Sequence, residues 1–272
     1  MHSAGLLRKA TALGAAFFLL SAEMPAAADS LVAHHARYVL SLTSDSKNSQ
    51  VTGADGLLDF DLKDTCDGWA TDLKMKFIMS LDSGESGTIE TTQVTWESKD
   101  GLAYRYLIKN SGSGGHEEQM RGEARLDEPG GQATATADLP TRSEAKLPAG
   151  TLFPIAHTRL LLEKAAAGES VFTAEFFDGS ASTEAMQASA LIGVAEKDWP
   201  GLSKKIPELE GKTSYPIGLA YFLGEDNDGV PDQEQHLQLY ENGVLGSLTI
   251  TFGTIKIRAV LDSLKVQPEP AC

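Results

Sequence analysis

The sequence predicts a mainly β protein: one antiparallel sheet, curved to enclose its own apolar face, with a single helix to cover or plug it. Three observations predict this. Apolar and polar residues alternate with period two through most of the chain. Turn-forming clusters interrupt that alternation, often at intervals of roughly 12 to 25 residues. Only one stretch carries a helical period instead.

Taken in order, the chain begins with an export signal. Arg8 and Lys9 precede an apolar run from Ala10 to Ala22, and Pro25-Ala26-Ala27-Ala28-Asp29 supplies the small-residue exit of a secretory signal peptide. The run falls short of the roughly 20 apolar residues that a spanning helix needs. Residues 1–28 are therefore expected to be removed near Ala28, leaving residues 29–272 as one domain in the periplasm. No Cys follows the cleavage site, so no lipid anchor and no stable membrane attachment are expected.

From Trp69 to Met79 the odd positions Trp69, Thr71, Leu73, Met75, Phe77 and Met79 alternate with Asp72, Lys74 and Lys76, the pattern of a strand with one buried and one wet face. Leu102, Tyr104, Tyr106 and Ile108 repeat it. So do Leu248, Ile250 and Phe252, and then Ile255, Ile257, Ala259 and Leu261. Turn signals separate such runs: Asp55-Gly56, Asp82-Ser83-Gly84, Asn110 to Gly115, Pro129-Gly130-Gly131, Asp178-Gly179 and Asn242-Gly243. Asn242-Gly243 reads as a two-residue hairpin turn.

The exception runs from Pro154 to Gly168. Pro stands where a helix can begin and Gly where it can stop, and Ile155, Thr158, Leu161, Leu162 and Ala165 fall on one side. The stretch from Asp198 to Pro216, with three prolines, reads as an irregular connection. Individual strand runs are too short to bury a core alone, so the sheet must curve round.

Composition removes several functions. Thirty-eight acids against 23 bases give a formal charge of −15 and a pI near 4.8, without the clustered Lys/Arg footprint that phosphate neutralisation requires, so no nucleic-acid partner is expected. Loss of the leader leaves 37 acids against 21 bases, net −16. Two cysteines exclude a zinc site built from three or four thiolates but allow one bridge. Cys66 and Cys272, exported to an oxidising compartment, most simply join, closing a loop of about 207 residues worth nominally about 5 kcal/mol in the chain-entropy model. A redox role would want a Cys-x-x-Cys partner or a nearby base, and neither is visible.

Candidate sites are few. Glu225 to Asp232 is the one calcium-like loop, with Asp226, Asp228 and Asp232 as candidate ligands around Gly229. Gly224 and Gln235 occupy the places of the first ligand and the bidentate acid, which favours a solvated hairpin loop. Ser111 to Gly115 lacks the Gly-Lys-Ser/Thr ending of a phosphate loop. The histidines, including His34, His35, His157 and His236, show no metal-ligand spacing, and His157 reads as a structural residue on the helix. No Gly-x-Ser-x-Gly and no assembled triad appear, so a non-enzymatic protein without a cofactor is expected.

Cys66-Asp67-Gly68-Trp69, Leu152-Phe153-Pro154 through His157 with the Leu-rich helix, Asp178-Gly179, Ala220-Tyr221-Phe222, Asn242-Gly243-Val244 and terminal Cys272, in this order and spacing, resemble the EipB family of periplasmic envelope-integrity proteins of alphaproteobacteria. The resemblance implies an antiparallel β-spiral, an open barrel-like sheet wrapped around one α-helix, with a Cys66–Cys272 disulfide. It implies a role in envelope integrity through protein–protein binding, with a periplasmic tetratricopeptide-repeat protein as partner. Family members look like the lipoprotein carriers LolA and LolB, so the alternative is a lipid or lipoprotein carrier. The acidic loop from Glu225 to Asp232 lies outside the family pattern.

Overall fold

The computed structural model describes residues 31–43, 51–115, 117–197, 202, 205–224, 229–252 and 255–272. The expected signal peptide lies outside the described residues. The strands are β1 (His34–Leu42), β2 (Val51–Asp64), β3 (Gly68–Leu81), β4 (Ser86–Ser98), β5 (Ala103–Gly112), β6 (Glu117–Leu126), β7 (Ala133–Leu139) and β8 (Ser143–Leu147). Helix α1 (Pro154–Ala166) follows, then β9 (Val171–Phe176), β10 (Met186–Ile192), the two-residue β11 (Glu196–Lys197), β12 (Thr213–Leu223), β13 (Gln233–Tyr240), β14 (Leu245–Phe252) and β15 (Ile255–Val266).

All the strands join one open antiparallel sheet in the order β8-β7-β6-β5-β4-β3-β2-β1-β15-β14-β13-β12-β10-β9, with β11 paired to β12. Strand β1 is the seam. It pairs with β2 on one side and β15 on the other, so that Tyr38 faces Leu58 and Leu261 and the two ends of the chain share one sheet. The sheet rolls until its two edges approach: Leu152, just past β8, bridges in parallel to Phe176 on β9, with its N–H on the Glu175 carbonyl at 2.8 Å and its carbonyl accepting the Phe177 N–H at 3.0 Å.

Period-two patterning dictates which face turns inward. On β1, His34, Ala36, Tyr38 and Leu40 are buried, while Arg37 and Val39 face out. On β3, Phe77 is buried between exposed Lys76 and Ile78. Helix α1 starts at Pro154 without a side-chain cap from Phe153. It ends in a Schellman motif: Gly168, at φ 75°, gives its N–H to the Ala165 carbonyl at 3.1 Å, and Glu169 gives its N–H to the Lys164 carbonyl at 3.0 Å. Its buried residues are Ile155, His157, Leu161, Leu162 and Ala165, so the predicted face holds except that His157 is buried and Thr158 is half-buried.

Three local expectations change. Asp55-Gly56 is no turn: both residues lie inside β2, opposite Ile78 and Phe77. The connection after β11 ends at Lys212, and Tyr215 and Pro216 belong to β12. The Pro216 carbonyl accepts the Gly193 N–H at 2.8 Å, just past the end of β10, so the N–H that proline lacks would point at an interrupted edge of the sheet. The β13–β14 turn holds three residues, not two, between the hydrogen-bonded Tyr240 and Val244. Tyr240 accepts the Gly243 N–H at 2.8 Å and donates its own to Val244 at 2.8 Å, with Gly243 at φ 82°, a type I turn closed by a glycine bulge.

Candidate functional site

The inner face of the sheet leaves two adjoining cavities. The first is a trough of about 360 Å³ between β1–β4 and β14–β15, whose lining includes Leu40, Leu58, Met75, Phe77, Ile250 and Ile257 and is apolar throughout. Alternation places these side chains there: Met75 stands opposite Leu58, Ile250 opposite Ile257, and Leu40 opposite Ala259. Gly56 sits in the same row, where a Cβ would come within 2.6 Å of the Phe77 Cα, so only glycine lets β2 and β3 approach there.

The second is a cavity of about 210 Å³ between α1 and the sheet, lined by apolar side chains together with His34, Tyr38, His157, Thr158, Tyr221 and Gln235. Leu248 lines both cavities, and Tyr38 and Leu40, successive inward residues of β1, line one each. No Asp, Glu, Lys or Arg lines either. Burial lowers the His157 imidazole to about 4, lowers that of His34, and pushes the Tyr38 and Tyr221 hydroxyls up, so all four are neutral at pH 7. His34 Nδ1 lies 2.7 Å from the Val32 carbonyl. His157 Nε2 is buried without a hydrogen-bond partner among the described residues, and the His157 ring lies 5.0 Å from that of Phe176.

The helix that walls this cavity is held by a residue the sequence reading missed. Glu97, on the inward phase of β4 and only 2% exposed, accepts the Ile155 N–H at 2.7 Å and the Ala156 N–H at 2.8 Å. It thereby supplies, from another element, the cap that Phe153 lacks. Burial raises its carboxyl to about 7 against those two bonds and the charge of Arg159. The signal was present: an acid in phase with buried Thr95 on a strand whose inward face is otherwise uncharged.

The sequence candidates distribute as follows. Cys66 and Cys272 form the expected disulfide, with their Cα atoms 5.8 Å apart. Beside it Lys99 lies 3.8 Å from the Trp69 ring centroid and 2.6 Å from Asp64, whose carboxyl it holds below the usual range. Of the calcium candidates, Asp226 and Asp228 lie outside the described residues. Asp232 is a turn closure, its carboxylate accepting the Leu223 N–H at 2.7 Å. His35 faces outward near Asp59 and Asp61, away from both cavities, and among the described residues no group of His, Cys, Asp and Glu is placed to hold a metal. No helix among them is long and apolar enough to cross a membrane.

A disulfide-clasped, open barrel-like sheet with an apolar lumen and one internal helix defines the class. The chain belongs to the EipB-like family, whose model matches residues 25–268. It is 26% identical over 264 residues to the cell envelope integrity protein EipB of Brucella abortus (strain 2308), covering 94% of this chain and 93% of that one. A crystal structure of a beta-barrel-like protein of a domain of unknown function from Brucella abortus superposes with a TM-score of 0.80 at 24% identity, over 88% of this chain and 99% of that one. The antiparallel, barrel-like fold is thus shared.

Proposed function

We propose that this protein serves cell envelope integrity in the periplasm as a non-enzymatic binding protein, and that its trough takes an acyl chain of a lipid or lipoprotein. The observation that carries this is the wholly apolar lining of a 360 Å³ hollow. Aliphatic wall exposed to water is unfavourable, and each methylene transferred into such a site gains about 0.8 kcal/mol. The envelope role is drawn from the name of the 26% identical relative, and the periplasm from the leader and the disulfide. The non-enzymatic reading is supported by His157, which has no hydrogen bond to an acid or hydroxyl among the described residues.

Gentle purification from periplasm, solvent extraction and mass spectrometry should find acyl species near one per protein. Protein that carries none, and that also takes up no fluorescent fatty-acid probe, would overturn the reading.

Protein–protein binding is a second reading, favoured by the outer face of β4–β7. There Arg105 lies over Trp96 at 5.2 Å, and Arg121 and Arg142 border the same hollow of about 640 Å³ together with Glu123 and Asp138, a patch of mixed charge around an aromatic anchor. A periplasmic tetratricopeptide-repeat protein is the partner to test. A photo-crosslinker at Arg142 should capture such a protein in cells if this face docks it, and capture at Arg142 no stronger than at a control position on β15 would sink the idea.

A further inference from the structure

The second cavity assigns an orientation and a class to the ligand, an inference that rests on the acyl reading of the trough. We propose that the ligand is a single-chain amphiphile that enters polar end first, its uncharged O–H head, a carboxylic acid or an alcohol, seated between His157, Tyr38 and Tyr221 and its chain lying in the trough.

Three observations carry it. First, the two cavities adjoin at Leu248 but differ in chemistry: the trough is apolar throughout, whereas polar side chains line the inner cavity from four separate elements, His34 and Tyr38 on β1, His157 and Thr158 on α1, Tyr221 on β12 and Gln235 on β13. Second, three of these groups are idle. His157 is 3% exposed, Tyr38 4% and Tyr221 6%, and among the described residues neither His157 Nε2 nor either hydroxyl has a hydrogen-bond partner. A buried polar group left unmatched costs about 1–3 kcal/mol, a cost that His157 Nε2 carries and a ligand could relieve, while the two tyrosine hydroxyls add donors and acceptors to the same wall. Two tyrosine hydroxyls on β5 of the same sheet are satisfied: that of Tyr104 donates to the Asp178 carbonyl at 3.0 Å and that of Tyr106 to the Ser182 carbonyl at 3.1 Å. Third, the wall sets the head's charge and size. With no ionised side chain lining the cavity, a phosphate or ammonium would be stripped of water without a counter-charge. A hollow of about 210 Å³ is also small for a phosphocholine.

Neutral imidazole and phenol both donate and accept, which matches a group that does the same. A carboxylic acid or alcohol can give its proton to the imidazole's free nitrogen while its oxygen accepts from a tyrosine. A methyl ester can only accept, and a hydrocarbon can do neither.

The test uses the full mature protein with its disulfide intact, stripped of ligand, in a displacement assay with hexadecanoic acid, hexadecan-1-ol, methyl hexadecanoate and lysophosphatidylcholine. The acid and the alcohol should bind about tenfold or more tighter than the ester, with lysophosphatidylcholine weakest. Tyr221→Phe, which removes a single oxygen, and His157→Phe should each weaken the acid and the alcohol several-fold while leaving the ester unchanged. Thermal melts of the variants check folding, and Tyr38→Phe provides a second one-atom deletion should His157→Phe misfold.

If all four ligands bind alike and the variants change nothing, the head does not sit there, the cavity merely holds water, and the trough reading stands alone. Preference for lysophosphatidylcholine would overturn the orientation, since its head must then stay outside. If no chain binds the wild-type protein, the trough reading falls and this inference falls with it.

Discussion

The same rolled sheet is filled on one side and hollow on the other. Across β5–β7 and the segments flanking α1, Tyr104 stacks on Phe153 at 5.3 Å and on Tyr106 at 5.9 Å, while Phe177 meets both tyrosines edge-on. Opposite these rings stand Ala124, Ala133 and Ala135, and a Cβ on Gly122 or Gly179 would come within 2.6 Å of Tyr106. Large plates against small residues fill space, and both tyrosine hydroxyls reach carbonyls. Across β1–β4 and β12–β15, rows of Leu, Ile and Met face one another across the lumen with little between them, and the hydroxyls of two tyrosines of that side, Tyr38 and Tyr221, hold no hydrogen-bond partner among the described residues. The difference teaches where to look for function in such a fold: where packing is left incomplete, since close packing was available to the same sheet a few strands away.

The largest expected effect tests whether the two sides share one clasp. Cys272 ties the tail to the β2–β3 turn, beside the hollow side. The Cys66→Ser, Cys272→Ser pair should lose up to about 5 kcal/mol, the chain-entropy value for a loop this long. At roughly 2–4 °C per kcal/mol for a chain of this size, the melting temperature should fall by about 10 °C or more. Hydrogen exchange should then quicken in β1 and β15 before it does around Tyr104. Equal quickening on both sides would erase the distinction, and an unchanged melting temperature would remove the clasp.

Next, truncation should cost differently on the two sides. Phe153→Ala or Phe177→Ala, each at a site 0% exposed among other rings, should cost about 3–5 kcal/mol in urea unfolding. Met75→Ala, in the half-buried trough wall, should cost about 1 kcal/mol or less, because much of that side chain already lacks neighbours. Similar costs would mean the trough is packed after all.

The walls of α1 carry two buried titrations of opposite sign. His157 has its folded pKa near 4, below the unfolded 6.5, so its contribution is present above pH 6.5 and is lost as pH falls toward 4, about 3 kcal/mol in all. Glu97 has its folded pKa near 7, above the unfolded 4.5, so its contribution is present below pH 4.5 and is lost as pH rises through 7, again about 3 kcal/mol. Between pH 4.5 and 6.5 the two largely cancel. His34, also lowered by burial, and Asp64, lowered by Lys99, leave a gentle rise with pH. His157→Phe should therefore make stability fall as pH rises over that window, and Glu97→Gln should make it climb more steeply than in the wild type. Urea midpoints at pH 4.5, 5.5 and 6.5 read this, and slopes that do not diverge would dissociate the pair.

What was legible in the sequence follows from the range of the interactions involved. The strands through Met75, Tyr104, Ile250 and Ile257 show in period two, the helix shows in its Pro154 start and Gly168 stop, and the bridge shows in two cysteines and an export signal, all of which are local or compositional. Whether an inward row meets a ring, an alanine or nothing depends on residues more than a hundred positions away, such as Met75 and Ile250, and no periodicity records that. His157 could be read as a structural residue, but not as one whose free nitrogen stands beside a cavity, because β1 and β12 supply the rest of the wall. Glu97 was missed for a related reason: an acid on an inward phase announces a partner without saying which, and the partner here is the start of a helix almost sixty residues downstream.

The smallest expected effect makes the comparison with a single chemical change. Ala135 on β7 and Ala259 on β15 are both inward and almost wholly buried, at 0% and 4% exposure, and sequence alone does not tell them apart. Ala135 lies in the aromatic cluster, where three added carbons can go only into Tyr104, Tyr106 or their neighbours, so Ala135→Leu should cost about 1–3 kcal/mol of overpacking strain. Ala259 lines the trough, where the same carbons enter empty space against Leu40 and Leu248, so Ala259→Leu should cost under about 1 kcal/mol and can stabilise through the apolar area it covers. It should also shorten the hollow and weaken binding of a sixteen-carbon chain more than that of a ten-carbon one. If both leucines destabilise alike, side-chain motion already fills the trough on the time average. If Ala259→Leu is tolerated yet chain-length selectivity does not move, the acyl chain lies elsewhere on the sheet.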